Sequence, residues 1–156
     1  MTSMKSRTFL KGSIATGAVG VAVSAGLLTP QMVLAAWPKA AFEATTVDDA
    51  LSGLFGSKTL TGSEQIKIKA PDIAENGAVV PISVTTDLAA ESISIIAEKN
   101  ASPLAASFLL GSDTEGYVST RIKMGKTASV IAVVKSGDKL FSTSKEVKVT
   151  IGGCGG

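Results

Sequence analysis

One residue of this 156-residue chain is placed to do covalent chemistry. Cys154 is the sole cysteine and stands in the run Gly152-Gly153-Cys154-Gly155-Gly156. Glycine has no side chain to bury and loses more backbone freedom on ordering than any other residue. The five residues are therefore expected to form a flexible arm that reaches as far as about 17 Å from the body, at 3.3 to 3.6 Å per extended residue. Free cysteines usually act as small buried hydrophobes, whereas this thiol is sterically open on every side. Nothing beside it lowers its pKa: the arm contains no Lys or Arg and the chain no His. An accessible thiol without its own activation has the profile of a handle on which other enzymes work. A catalytic nucleophile keeps its activating base next to it.

The same counts exclude much other chemistry. With no His there is no Ser/His/Asp triad, no Cys/His pair and no H-E-x-x-H zinc site. A single Cys cannot close an internal disulfide or supply the clustered thiolates of a zinc or iron-sulfur centre. Nor can it resolve its own mixed disulfide, which argues against a self-sufficient thiol oxidoreductase. No catalytic residue, metal site or cofactor is read from the chain.

The elements that must position Cys154 begin after an address. Lys5, Arg7 and Lys11 form a positive segment, Gly12 to Leu28 is uncharged, Pro30 interrupts it, and Val33-Leu34-Ala35 has the small residues of a cleavage site. Residues 1–35 are therefore expected to be a cleaved export signal. The apolar stretch is too short and too rich in glycine for a membrane span of about 20 residues. Ser6-Arg7-Thr8-Phe9-Leu10-Lys11 looks like the tail of the twin-arginine export motif with Ser6 in place of the first arginine. The expected destination is the periplasm by that route, with the general secretory route left open. The leader holds three of the 15 Lys and Arg and none of the 13 acids, so the remainder is close to neutral. That leaves no basic footprint for nucleic acid and no strong steering field.

Thr46 followed three residues later by Asp49 is a helix-capping pattern. Val47, Leu51, Leu54 and Phe55 fall on one helical face, and Gly56 is a stop. From Gln65 the period changes to 2, the mark of strands with one buried face. Ile66 and Ile68 alternate with lysines; Asn76-Gly77 turns the chain; Val80, Ile82 and Val84 alternate through the next strand, where Pro81 predicts an edge or a bulge. Further strands follow over Ser92 to Glu98, over Leu104, Ala106, Phe108 and Leu110 on one face, and over Val118, Thr120, Ile122 and Met124 on another. Val130 to Lys135 is apolar enough for a central strand buried on both faces. After the Ser136-Gly137-Asp138 turn, Phe141, Val147, Val149 and Ile151 complete the series. About seven short strands, with no long helices between them, predict an all-β antiparallel sandwich with a short N-terminal helix. The expected organisation is a leader over 1–35, a sandwich domain over 36–151 and the Gly-rich arm over 152–156. The 46–55 helix and the Pro81 strand are the candidate partner-facing surfaces.

The ending Val147-Lys148-Val149-Thr150-Ile151-Gly152-Gly153-Cys154-Gly155-Gly156 closely resembles the C-terminus of the SoxY family, the sulfur-carrier subunits of the bacterial periplasmic thiosulfate-oxidising (Sox) system. Asn76-Gly77-Ala78-Val79-Val80-Pro81-Ile82, Glu98-Lys99-Asn100 with Pro103-Leu104, and Ser119-Thr120-Arg121-Ile122-Lys123-Met124 resemble the family's body. The resemblance implies an immunoglobulin-like sandwich paired with a SoxZ-like sandwich subunit as a heterodimer or heterotetramer. It assigns covalent sulfur attachment to Cys154 alone, with Gly152, Gly153, Gly155 and Gly156 as its flexible arm. It implies three enzyme partners: a c-type cytochrome that loads thiosulfate, a dimanganese hydrolase that releases sulfate and, where present, a sulfane dehydrogenase. On this reading the chain is a carrier and not an enzyme, its only prosthetic group the sulfur on Cys154. The residues by themselves leave an alternative open: an exported structural or assembly module joined to a neighbour through an intermolecular Cys154 disulfide.

Overall fold

The computed structural model describes residues 38–150. The leader over 1–35, Cys154 and its four glycines lie outside the described residues. Two helices come first, α1 (Lys39–Glu43) and α2 (Val47–Phe55). They are followed by β1 (Thr61–Gly62), β2 (Ile66–Lys69), β3 (Ile73–Ala74), β4 (Val80–Thr86), β5 (Ser92–Ala97), β6 (Leu104–Leu109), β7 (Tyr117–Ile122), β8 (Ala128–Ser136) and β9 (Lys139–Val149). Seven of these strands are four residues or longer, the number expected from the alternation, and β1 and β3 are ladders of two residues.

The strands form two sheets that face each other as an immunoglobulin-like sandwich. The smaller has the order β2-β4-β7 and the larger the order β1-β9-β8-β5-β6, with β3 joining β9 as well. Every pairing is antiparallel except those of β1 and β3, which run parallel to β9 along the edge that β8 leaves free. Alternate residues of β4, β5 and β8 fill the space between the sheets: Val80, Ile82 and Val84; Ile93 and Ile95; Val130, Ala132 and Val134. None of these exposes measurable surface.

The intervening residues of β5 and Val133 of β8 are buried too, with Ile131 half-buried, where the helices pack on the outer face of the larger sheet. Ala41, Ala50 and Leu51 sit on Ile96, Leu104, Val133 and Leu140 in a second apolar cluster. Burying Leu51 stabilises the fold by about 2 kcal/mol. Val130 to Val134 is thus a central strand covered on both faces, with Ile131 half-buried, whereas Lys135 reaches solvent. Ser94 of β5 is also fully buried, and its hydroxyl is satisfied by Ser107 Oγ at 2.9 Å.

The start of α2 follows its sequence signal. Thr46 Oγ1 accepts from the Asp49 amide at 3.1 Å and donates to the Asp49 carboxylate at 2.8 Å, and Gly56 ends the helix at φ +69°. Only a residue without a Cβ adopts that left-handed conformation at no steric cost. The five residues of α1 show no side-chain cap and too few turns for a helical period, so sequence gives no sign of this helix.

Two expectations are corrected. Leu104 does not share a face with Phe108 and Leu110: a register shift opposite Ile95 and Ile96 inserts an extra residue into β6. Leu104 therefore lies under the helices, while Ala105, Phe108 and Leu110 pack against the core between the sheets. Pro81 does not mark an edge strand, because β4 is the middle strand of its sheet. The β2 ladder stops at Lys69 opposite Ser83, so at Pro81 the β2 side of β4 needs no N–H donor.

Candidate functional site: the end of the sandwich that carries the cysteine

The described chain stops at Thr150, four residues before Cys154. What positions the cysteine is therefore the end of β9. This strand pairs with β8 from Ser136 opposite Lys139 to Ala128 opposite Val147, and β3 takes its other edge at Lys148 and Val149. Past the β8 ladder the backbone is still held. The Lys148 amide donates to Asp72 O at 3.0 Å, the Val149 amide to Thr127 Oγ1 at 2.9 Å and the Thr150 amide to Ala74 O at 3.2 Å. Lys145 ties the same segment from within: its ammonium donates to Ala70 O at 2.7 Å and pairs with Asp72 at 2.9 Å. The root of Cys154 is fixed to the body, and four residues limit the cysteine to about 14 Å from Thr150.

Register places three further segments at this end: the 75–79 turn before β4, the β5–β6 corner over 98–103 and the β7–β8 connection over 123–127. Hydrogen bonds join them. Met124 donates its amide to Gly77 O at 2.7 Å; Asn100 donates Nδ2 to Lys123 O at 2.6 Å and accepts the Gly125 amide on Oδ1 at 3.2 Å. Between the last two segments is a cleft of about 570 Å³ lined by Lys99, Asn100, Ala101, Ser102, Lys123, Gly125 and Lys126. Three cations and no carboxylate line it. Sequence reasoning missed this cluster, since 24 residues separate Lys99 from Lys123 and only the Asn100 bonds bring their segments together.

Other ionisable groups have partners elsewhere. Lys135 of β8 pairs with Glu91 near the opposite end, and this hydrogen bond and charge hold the Glu91 carboxyl below its ordinary pKa of 4.5. On the outward face of the smaller sheet, hydrogen bonding to Ser83 and then Ser119, with the Lys69 charge adding to it, holds the Tyr117 phenol below 10. Ser83 and Ser119 bond each other at 3.0 Å. Of the two surfaces expected to face partners, α2 lies with its apolar side on the larger sheet, and the Pro81 strand lines a shallow cleft with Lys69, Ser83, Thr85 and Tyr117. Among the described residues no three His, Cys, Asp or Glu group together as metal ligands, and no helix is long and apolar enough to cross a membrane.

Comparison with known proteins covers the body and the cysteine together. The family profile described as "Sulfur oxidation protein SoxY" matches residues 51–154, a span that ends on the cysteine itself. Among solved structures, the sulfur carrier protein SoxY from Chlorobium limicola f thiosulfatophilum is similar at 46% identity and a TM-score of 0.62. The match covers 68% of this chain and 97% of that one. No curated protein matches. A two-sheet body, a fixed strand end five residues from a single glycine-flanked cysteine, and a profile match over two thirds of the sequence lead to one conclusion: the chain belongs to the SoxY family.

Proposed function

We propose that this protein is a covalent carrier of sulfur intermediates on Cys154, presenting them in turn to the enzymes of thiosulfate oxidation. The observation that carries the reading is the family match ending on Cys154, a thiol flanked by glycines five residues beyond a strand end that is bonded on both edges. A fixed root localises the thiol, and flanking glycines leave the sulfur open to a narrow active-site channel. A carrier needs those two properties and no catalytic base.

The chemistry balances with partners supplying what the chain lacks. The Cys154 thiolate and thiosulfate combine as RS⁻ + S₂O₃²⁻ → RS–S–SO₃⁻ + 2 e⁻, the electrons passing to a c-type cytochrome. Water then cleaves the terminal sulfone, RS–S–SO₃⁻ + H₂O → RS–S⁻ + SO₄²⁻ + 2 H⁺, on a dimanganese hydrolase. The persulfide left on Cys154 goes to a sulfane dehydrogenase where one is present. In this reading the chain itself catalyses neither step; it pairs with a SoxZ-like sandwich subunit and works in the periplasm. Residues 1–35 are its export signal, taken by the twin-arginine route.

The test is intact-mass spectrometry of the protein from the periplasm of cells oxidising thiosulfate, with and without reductant, and with the adduct localised to the last peptide. Reductant-sensitive thiosulfonate or persulfide masses on Cys154 are expected. A mass that is only ever free thiol or protein disulfide overturns the reading and favours a tether.

A further inference from the structure

The three lysines of the cleft beside the root of Cys154 enter no ion pair among the described residues, and the structure assigns the cleft a ligand class. We infer that the cleft between the 98–103 and 123–127 segments binds a small sulfur oxyanion, a sulfate-, thiosulfate- or sulfonate-type group. Four observations carry this.

The cleft is concave, about 570 Å³, and its ionisable lining is Lys99, Lys123 and Lys126 with no carboxylate. The ion pairs of this chain among the described residues engage Lys39, Lys58, Lys135 and Lys145. The three cleft lysines are exposed, and none of these ion pairs includes them. The cleft is also preformed, since both hydrogen-bonding ends of the Asn100 amide are spent on Lys123 O and the Gly125 amide, which fixes the two walls against each other. The Ser102 hydroxyl on the lining adds a neutral donor. Ammonium groups are compact point charges with three donors each, suited to a small, strongly hydrated, multiply charged anion.

The fourth observation is location. The Val149 amide is bonded to Thr127 Oγ1, and Thr127 follows Lys126 directly. Cys154 is tethered within about 14 Å of Thr150, so an oxyanion carried on its sulfur can reach the cleft. This last point and the choice of a sulfur oxyanion rest on the carrier reading; the cationic cleft itself does not. The ligand chemistry is the same whether the group arrives free in solution or tethered to the chain.

Amide NMR on ¹⁵N-labelled chain tests it in two arms. In the first, the Cys154→Ser chain is titrated with sodium thiosulfate and sodium sulfate, against sodium chloride at matched ionic strength. The Asn100, Ser102 and Lys126 amides are expected to move and saturate with a midpoint on the order of millimolar, with chloride giving no saturation. In the second, wild-type chain is converted by tetrathionate, RS⁻ + S₄O₆²⁻ → RS–S–SO₃⁻ + S₂O₃²⁻, and freed of small ions. The same amides are expected to be displaced without added anion. The triple variant Lys99→Gln, Lys123→Gln, Lys126→Gln keeps its urea midpoint and binds roughly tenfold more weakly, as loss of three exposed charges predicts. A response in the first arm alone identifies the free anion as ligand and one in the second alone the tethered adduct; each upholds the site. Shifts no larger than chloride's in both arms, or a triple variant that responds like its parent, overturn it. Neither failure touches the carrier reading, which stands on the mass of the Cys154 adduct.

Discussion

The two ends of the sandwich are built from the same strands and differ in charge. The end from which β9 runs on toward Cys154 carries Lys99, Lys123, Lys126 and Lys148 beside the exposed Glu75 and Glu98, with Asp72 paired to Lys145. The opposite end, formed by the 87–91, 110–116 and 137–138 connections, carries Asp87, Asp113, Glu115 and Asp138 beside Lys139, with Glu91 paired to Lys135. Each end holds a cleft of similar size. The one beside the cysteine root is lined by three lysines; the other, about 480 Å³, has Glu91 as the single ionisable residue of its lining. The two ends therefore differ locally, in the charge that lines their clefts. Net charge reports the sum and conceals the separation, and a screening length of about 8 Å in physiological salt lets each end act locally.

The comparison is sharpened most by removing the cysteine. Cys154→Ser is expected to abolish the thiosulfate-derived mass on the last peptide completely and to stop system turnover, while the urea midpoint stays at the wild-type value. A large loss of stability would place the residue in the fold instead of the chemistry.

The converse change is at the acidic end. A Cβ on Gly116 would meet Thr86 Cγ2 at 2.8 Å and the Thr86 carbonyl oxygen closer still, while Thr86 donates its amide back to Gly116 O at 2.7 Å. Gly116→Ala therefore forces backbone apart and is expected to cost about 1 to 3 kcal/mol, read by urea denaturation. Adduct formation on Cys154 should remain at wild-type level in the folded fraction. Equal damage to loading would break the separation of the two ends.

A smaller effect is expected from Asn100→Ala, which removes two hydrogen bonds joining the walls of the basic cleft and should cost about 1 kcal/mol. Hydrogen exchange at the Gly125 amide should speed up, while the Gly137 amide at the far end is unaffected. The smallest effect concerns pH. The folded pKa of Glu91 is depressed by Lys135, so the pair stabilises the chain above the unfolded carboxylate pKa and that contribution disappears as pH falls through the folded value. From about pH 5 to about pH 3 the urea midpoint of wild type should fall more steeply than that of Glu91→Gln. Parallel curves would leave the pair without a stabilising role.

Much of this molecule is legible locally. Thr46, Asp49 and Gly56 delimit α2 because a cap satisfies amides within one turn of itself. Alternation reports strands because successive side chains point to opposite faces, and Val130 to Val134 reports a strand covered on both sides because it has no polar face. Cys154 stands out because its neighbours cannot bury or activate it. These are properties of residue type and spacing, and the sequence by itself determined them.

Tertiary structure decided what depends on partners distant along the chain. Composition alone cannot show that β5 is as deeply covered as β8, since Ser92 and Ser94 look like a solvent face until Ser107 and the helices arrive. The extra residue in β6 is set by the register against β5, so Leu104 changes sides although the spacing of its apolar residues reads as regular. Pro81 is tolerated in a middle strand because β2 ends before reaching it. The basic cleft exists because two corners, one after β5 and the other after β7, are closed against each other by a single asparagine. Short-range rules encode what a residue prefers, whereas the charge that gathers at one end of the fold is fixed by which strands pair.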